Sequence, residues 1–251
     1  MGKSISLALA GEGASVVVAA NVPAEIEDVA SEIKGMGRRA VPFAVDITRP
    51  EEVRSLAASA IENFGRVDIL VNNAGIVGQK RAFIFQSEDD AWRSVIEVNL
   101  FGTYHCIKSF LPHIMAQKKG RIINIASISG KQPSSTNSSY AASKHAVIGI
   151  TRTVAAEMGM LGFPEITVNA ICPGVANTEM LTGPGMILDE FARILNTTRE
   201  RVMEDRVKAM NIQRRVMEPE EIALMAVYLA SDDARGITGQ AINVCGGSVF
   251  Y

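Results

Sequence analysis

The chain is poor in cysteine and histidine, has no run of one charge, and contains no long uninterrupted apolar stretch. Its three cysteines, Cys106, Cys172 and Cys245, lie far apart with no CxxC pair. Neither a disulfide framework nor a cysteine metal site is expected, and they read as buried thiols of a reducing compartment. The three histidines, His105, His113 and His145, lack ligand spacing, so no metal is expected. A formal net charge of -2 without a basic cluster argues against a nucleic-acid partner. Nothing approaches the roughly 18 consecutive apolar residues of a membrane span, so a cytoplasmic protein without a membrane partner is expected. The first residues superficially suggest a secretory signal, and Met1-Gly2-Lys3-Ser4 a myristoylation site. The break at Gly11-Glu12-Gly13 and the β-branched run behind it favour a helix, a turn and a strand instead.

What the sequence does have is length and alternation. With 251 residues, 47% of them hydrophobic, it can build one large core. No repeat, low-complexity tract or composition break divides it, and residues 1–251 read as a single domain. Short apolar strands are predicted at 15–20, 40–45, 67–71, 121–126, 167–171 and 241–244. Helices are predicted between them at 2–12, 23–34, 50–63, 89–117, 140–158 and 218–230. Pro112 is expected to bend or interrupt the 89–117 segment, and Thr48 with Glu51 to form a capping box. Strands alternating with helices predict an α/β fold, a doubly wound parallel sheet of Rossmann type.

The chemistry gathers around Tyr140 and Lys144. Four residues apart on a helix, they share one face, so an ammonium is expected beneath a phenol hydroxyl. A free tyrosine titrates near pH 10, and a cation held close favours its phenolate and makes it a better proton exchanger. In parallel sheets ligands bind beyond the carboxyl ends of the strands. Asp46, Asn72, Asn73, Ser127 and the Pro173-Gly174 turn each follow a predicted strand there.

This ordered set resembles the short-chain dehydrogenase/reductase family, in the group whose chains are about this long. Asn72-Asn73-Ala74-Gly75 matches its NNAG, Asn99 its helix asparagine, and Ser127 its catalytic serine. Tyr140-x-x-x-Lys144 matches its catalytic pair, and Pro173-Gly174 with Thr178 its PGxxxT segment. The resemblance implies an NAD(P)-dependent oxidoreductase acting on a secondary alcohol or ketone. Tyr140 would exchange a proton with the substrate oxygen and Ser127 would hydrogen-bond that oxygen. Lys144 would lower the tyrosine pKa and hold the nicotinamide ribose. Asn99 would anchor a water leading from Lys144 to solvent. Gly2, Asn21, Asp46, Ile47, Asn73, Ala74, Gly75, Pro173, Gly174 and Thr178 would line the cofactor, Asp46 at the adenine edge and Thr178 at the carboxamide.

Two departures from the family pattern bear on the cofactor. The stretch Ala19-Ala20-Asn21 ends without the carboxylate that usually binds the ribose of NAD, which leans towards NADP. Met1-Gly2-Lys3 aligns with the end of the TGxxxGxG loop, so Met1 is expected to be an internal methionine and the first strand to be missing. The competing expectation is a catalytically silent relative, kept as a binding or structural subunit without its phosphate loop. Residues 179–213 are expected to cover the substrate with Met180, Leu181, Met186, Ile187 and Phe191, while Arg199, Glu200, Arg201, Glu204, Asp205 and Arg206 read as a solvated face. The resemblance leaves open sugars and polyols, 3-oxoacyl thioesters, steroids and small ketones as substrates, with a lean to a polyol or a 3-oxoacyl compound. It also implies a homotetramer, with the stripe Val147, Ile150, Val154 and Met158 serving core and partner alike.

Overall fold

Strands and helices alternate from the first residues onward. In the computed structural model, which describes residues 1–78 and 80–251, helix α1 (Gly2–Gly11) leads to β1 (Val16–Ala20), α2 (Pro23–Gly35), β2 (Ala40–Ala44), α3 (Pro50–Phe64) and β3 (Ile69–Asn72). A helical rod follows, α4 (Asp89–Ile96) and α5 (Thr103–Gln117), joined by a π-helical turn over Glu97–Gly102. Then come β4 (Gly120–Ile125), α6 (Ser138–Met160) and β5 (Ile166–Pro173). The short helices α7 (Glu179–Thr182), α8 (Ile187–Leu195) and α9 (Arg199–Arg201) precede α10 (Pro219–Ala230) and β6 (Ala241–Val244).

Every strand pairing is parallel. β3, β4, β5 and β6 form one sheet in that order, and β1 pairs with β2. Among the described residues β1 has no partner besides β2 and β3 none besides β4, so each keeps one open edge. Helices cover both faces, as the near-continuous apolar strands require. Ile122 packs with α3, α5 and α6 through Val53, Phe110 and Met158. Its neighbour Ile123 points the other way, to Ile5 and Leu9 of α1 and Ile222 of α10. The fold is the expected doubly wound parallel sheet.

Several local expectations need correction. Pro112 lies inside α5 without ending it, and the departure from α geometry falls earlier, in the π turn that contains Asn99. Thr48 does not cap α3, because Asp46 captures it: Asp46 Oδ1 accepts from Thr48 N at 2.9 Å and Thr48 Oγ1 at 2.7 Å. Arg49 takes the cap position, and Glu52 rather than Glu51 reaches back, accepting from the Asp46 amide at 2.8 Å. In the α6 stripe, Val154 and Met158 are buried in the core against which the partly buried Ile150 packs, and Val147 is buried with Ala126, Ala170 and Cys172. All three cysteines are buried and unpaired, as expected.

A buried polar ladder ties the sheet to α6 below the site. Asn72 and Asn124 are register partners on β3 and β4, and Asn72 Nδ2 donates to Asn124 Oδ1 at 2.8 Å. Asn124 Nδ2 donates to Thr151 Oγ1 on α6 at 2.9 Å, and that hydroxyl donates to the Val147 carbonyl at 2.8 Å. Asn124 is wholly buried, so its removal would leave the Asn72 amide without its acceptor. Asn124→Ala is expected to lose about 2–3 kcal/mol of stability in urea titrations. A loss below about 0.5 kcal/mol would mean that the ladder does not hold α6 to the sheet.

Candidate active site

The carboxyl ends of β3, β4 and β5 and the first turns of α6 bring the predicted polar residues together. Ser127 lies two residues past β4, buried, with Ser129 N donating to its Oγ at 3.1 Å. Tyr140 and Lys144 lie one turn apart on α6, Tyr140 half-buried and Lys144 only 4% exposed. The 128–130 turn rests directly on α6. A Cβ on Gly130 would come within 2.7 Å of the Lys144 carbonyl, so this approach needs glycine.

The lysine ammonium lies over the Tyr140 ring, as helix spacing predicts, and finds a second partner as well. Its ammonium donates to the Ile125 carbonyl at the end of β4 at 2.8 Å and lies 5.6 Å from the Tyr140 ring centroid. Burial lowers its pKa to about 8. Burial also raises the Tyr140 pKa, against the expectation of a lowered one. The Ser127 hydroxyl and then the Arg81 guanidinium pull it back down, without reversing the sign. Arg81 was not among the residues singled out from the sequence. As one of 25 lysines and arginines in an irregular stretch after NNAG, it carries no sequence signal that separates it.

Asn99 is brought into the cluster but not as a reach towards Lys144. Its Oδ1 accepts from the Ile76 amide at 2.8 Å, and its Nδ2 donates to the Ile76 carbonyl at 2.9 Å and to Ser143 Oγ at 3.0 Å. Ser143 Oγ in turn donates to the Tyr140 carbonyl at 2.8 Å. Both amide hydrogens are engaged, and the side chain clamps the loop after β3 onto α6. Gly75 lies inside this clamp: a Cβ there would be 3.2 Å from Asn99 Oδ1 and 3.4 Å from Lys144 Nζ.

The other predicted lining residues fall along the same strand ends with different freedom. Gly2, the first residue of α1, abuts Asn73, whose Nδ2 would be 2.7 Å from a Cβ at that position. Ala74 and Asn21 are exposed, at the ends of β3 and β1. Pro173 closes β5, and Gly174 lies against Cys245, where a Cβ would be 2.9 Å from its Cα. Thr178 occupies the N-cap position of α7. The Asp46 carboxylate is occupied by Thr48, whose hydrogen bonds lower its pKa. Ile47 is partly buried, and its side chain packs on Gly102, where a Cβ would collide with it.

Residues 179–213 have a small core of their own, with Leu181, Leu188, Val202 and Val207 buried and Ile187 and Phe191 packed against them. Met186 remains exposed. The expected solvated face holds in part only. Arg206 lies over the Phe191 ring, 4.6 Å from its centroid, and Arg199 pairs with Asp189 at 3.1 Å.

Residues 1–184 match the family described as short chain dehydrogenase. The chain is 35% identical to D-beta-hydroxybutyrate dehydrogenase of Rhizobium meliloti, over 98% of this chain and 93% of the relative. It is likewise 35% identical to the 3-oxoacyl-(acyl-carrier-protein) reductase FabG of Staphylococcus epidermidis, with the same coverage of 98% and 93%. It superposes on an actinorhodin polyketide ketoreductase variant with NADPH at a TM-score of 0.91 and 34% identity, covering 99% of this chain and 93% of that one. NAD+-bound xylitol dehydrogenase superposes at a TM-score of 0.91 and 26% identity, with 98% and 93% covered.

The depressed Lys144 pKa has a consequence for stability. Between about pH 8 and pH 10.5 the unfolded chain still holds a proton that the folded chain has released, so stability rises with pH through that window. Below it both states are charged and the full penalty of burying the ammonium applies, roughly 3 kcal/mol. Lys144→Met is therefore expected to raise the melting temperature of the unliganded protein at pH 7. The gain should shrink towards pH 10.5, where the wild-type penalty disappears. Melting curves across this range that show no gain at pH 7 would contradict the burial cost.

Proposed function

The chain belongs to the short-chain dehydrogenase family, and from that premise we propose that it is a ketoreductase using a nicotinamide dinucleotide. The observation that carries this reading is the convergence of Ser127, Tyr140, Lys144 and the Asn99 clamp at the carboxyl ends of β3, β4 and β5. The residues present fit such a cofactor. The backbone of Gly75 lies close to Asn99 and Lys144, where a Cβ would be a tight fit at 3.2 and 3.4 Å. The N-terminus of α1, whose first-turn amides have no partner inside the helix, is packed against Asn73 and suits a pyrophosphate. Asn21 adds no carboxylate at the end of β1, which favours the phosphorylated nucleotide, NADP.

When bound, the nicotinamide supplies the hydride donor or acceptor. The chain's own residues handle the oxygen and its proton. Ser127 Oγ hydrogen-bonds the substrate oxygen and fixes it beside the Tyr140 hydroxyl. Because burial raises the phenol pKa, Tyr140 is protonated at neutral pH and poised to give its proton to a developing alkoxide. Lys144 spends one of its N–H groups on Ile125 and keeps two for the ribose hydroxyls. Asn99, through Ser143 and the Tyr140 carbonyl, fixes the helix turn that carries both groups.

A 3-oxoacyl compound is the favoured substrate, since the Rhizobium and Staphylococcus relatives are named for the oxidation or reduction of 3-oxygenated acyl chains. Tyr140→Phe is expected to lower kcat by about 10²–10⁴-fold, followed at the nicotinamide absorbance band, with the circular dichroism spectrum preserved. Near-normal turnover in this variant would remove the catalytic assignment. Unchanged nucleotide fluorescence on mixing NADPH or NADH with the wild-type protein would instead favour the silent-subunit reading. Assembly belongs to the same proposal. The exposed Phe101 and Tyr104 on the π turn and α5 are apolar groups on offer to a second copy. A homotetramer is expected in light scattering, and a monomeric mass at micromolar concentration would exclude it.

A further inference from the structure

Arg81 carries an inference that rests on the ketoreductase reading and deepens it. The residue lies in the irregular loop between β3 and α4 and is only 8% exposed. Its Nε donates to Thr136 Oγ1 at 3.2 Å and its Nη2 to the Ser135 carbonyl at 2.9 Å, just before the helix that carries Tyr140. Both acceptors are neutral. Its guanidinium lies over the Phe191 ring, 4.1 Å from the centroid, and Arg206 lies over the same ring. Two cations thus meet on one aromatic side chain, and among the described residues neither is in an ion pair. The carboxylate that touches this loop, Glu190, accepts from the Arg81 backbone amide at 2.9 Å and is matched to Arg193 at 2.8 Å.

A buried guanidinium with neutral partners is costly unless an anion joins it. The segment that holds it is strained as well. Thr136 adopts φ +64°, a region that β-branched residues rarely enter, while its carbonyl accepts from Ala82 N at 2.9 Å. Beside it, Asn137 is buried with no partner for its Nδ2 among the described residues. Strain, an unmatched charge and an orphan donor occur together in the residues leading into the Tyr140 turn. Tyr140 and Arg81 are also near enough for each to shift the other's ionisation.

We propose that Arg81, assisted by Arg206 across the Phe191 ring, determines specificity by receiving the carboxylate of an anionic ketone or hydroxy-acid substrate while Tyr140 and Ser127 hold its carbonyl oxygen. The planar fork of arginine suits a carboxylate, and Nη1, which has no partner among the described residues, is a donor left for it. On this view the acid itself, rather than a neutral ester or thioester of the same skeleton, is the preferred substrate.

The test is calorimetric titration of the full chain with butyrate and with methyl butyrate, which match in skeleton and differ in charge. The wild-type protein should prefer butyrate by about tenfold or more, and Arg81→Gln should abolish that preference. Arg81→Lys, which keeps the charge without the fork, should retain part of it. Because Arg81 also braces the 135–136 loop, Arg206→Gln serves as the second variant. It makes no side-chain hydrogen bond among the described residues, and it should lower the preference about threefold in a folded protein. Equal binding of acid and ester by the wild type, or an undiminished preference in both Gln variants, would overturn the proposal. A protein that binds butyrate through Arg81 but reduces no ketone would sink the ketoreductase reading alone. One that reduces methyl 3-oxobutanoate yet shows no preference for butyrate would sink this inference alone.

Discussion

The ammonium of Lys144, sunk at the end of β4 and bonded to the Ile125 carbonyl, is the contact around which the site is arranged. A charged group tolerates such a place only if the helix bearing it is seated without slack, since a small retreat would strand it between water and a lost acceptor. The seating comes from below and from the side. Beneath it, Val147 and Ile148 pack against Ala126, Ala170 and Cys172. The Asn72–Asn124–Thr151 ladder adds polar bonds in the same layer. From the side, Gly130 lets the turn after Ser127 touch the Lys144 carbonyl. Core packing and catalytic geometry are therefore one problem in this molecule, solved on α6.

The second support comes from the helical rod opposite. A π turn widens the helix at Glu97–Gly102 and presents Asn99 towards α6, and single π turns of this kind often mark functional sites. The displaced Asn99 carbonyl is not left bare, since Thr103 Oγ1 donates to it at 2.8 Å. The amide then binds both main-chain groups of Ile76 and Ser143 at once. One side chain thereby fixes the loop after β3 against the Tyr140 turn. That makes it a positioning residue, and the distance between the Gly75 backbone and Lys144 follows from it.

Much of this was legible in the sequence because it depends on short-range pattern. β6 falls at its predicted residues, and β4 and β5 within two residues at each end, because uninterrupted apolar runs bounded by turns leave little choice. Ser127, Asn99, Tyr140 and Lys144 were recognisable by order and spacing. Competition between local partners was not legible. Thr48 had the spacing of a cap, but Asp46 two residues earlier was the nearer acceptor. Pro112 looked like the weak point of the long helix, yet the π turn came where Asn99 had partners to reach. Helix periodicity placed Lys144 by the phenol, where its ammonium lies, but the Ile125 carbonyl that also accepts from it comes from a distant strand. Arg81 lay beyond reach for the same reason, since its partners are 54 and 55 residues away in sequence.

The free-energy costs are distributed unevenly across the site. Where a nucleotide would lie, the surfaces are backbone, glycine and engaged polar groups: Gly2 against Asn73, Gly75 in the Asn99 clamp, and Asp46 satisfied by Thr48. Such surfaces are cheap to keep without a ligand. Where a substrate would enter, the chain retains a buried arginine with neutral partners, a second arginine repelling it, and a threonine in left-handed backbone. The Arg81 pKa, lowered to about 10 chiefly by burial, still leaves it charged at neutral pH. The cost is therefore carried continuously in the unliganded protein. A fold that needed only to close over a neutral ketone could relieve it by placing an uncharged side chain at that position. Preorganised cationic groups that are desolvated when empty gain most when an anion arrives, so on the proposed reading selectivity would rest on charge at the Arg81 end of the site.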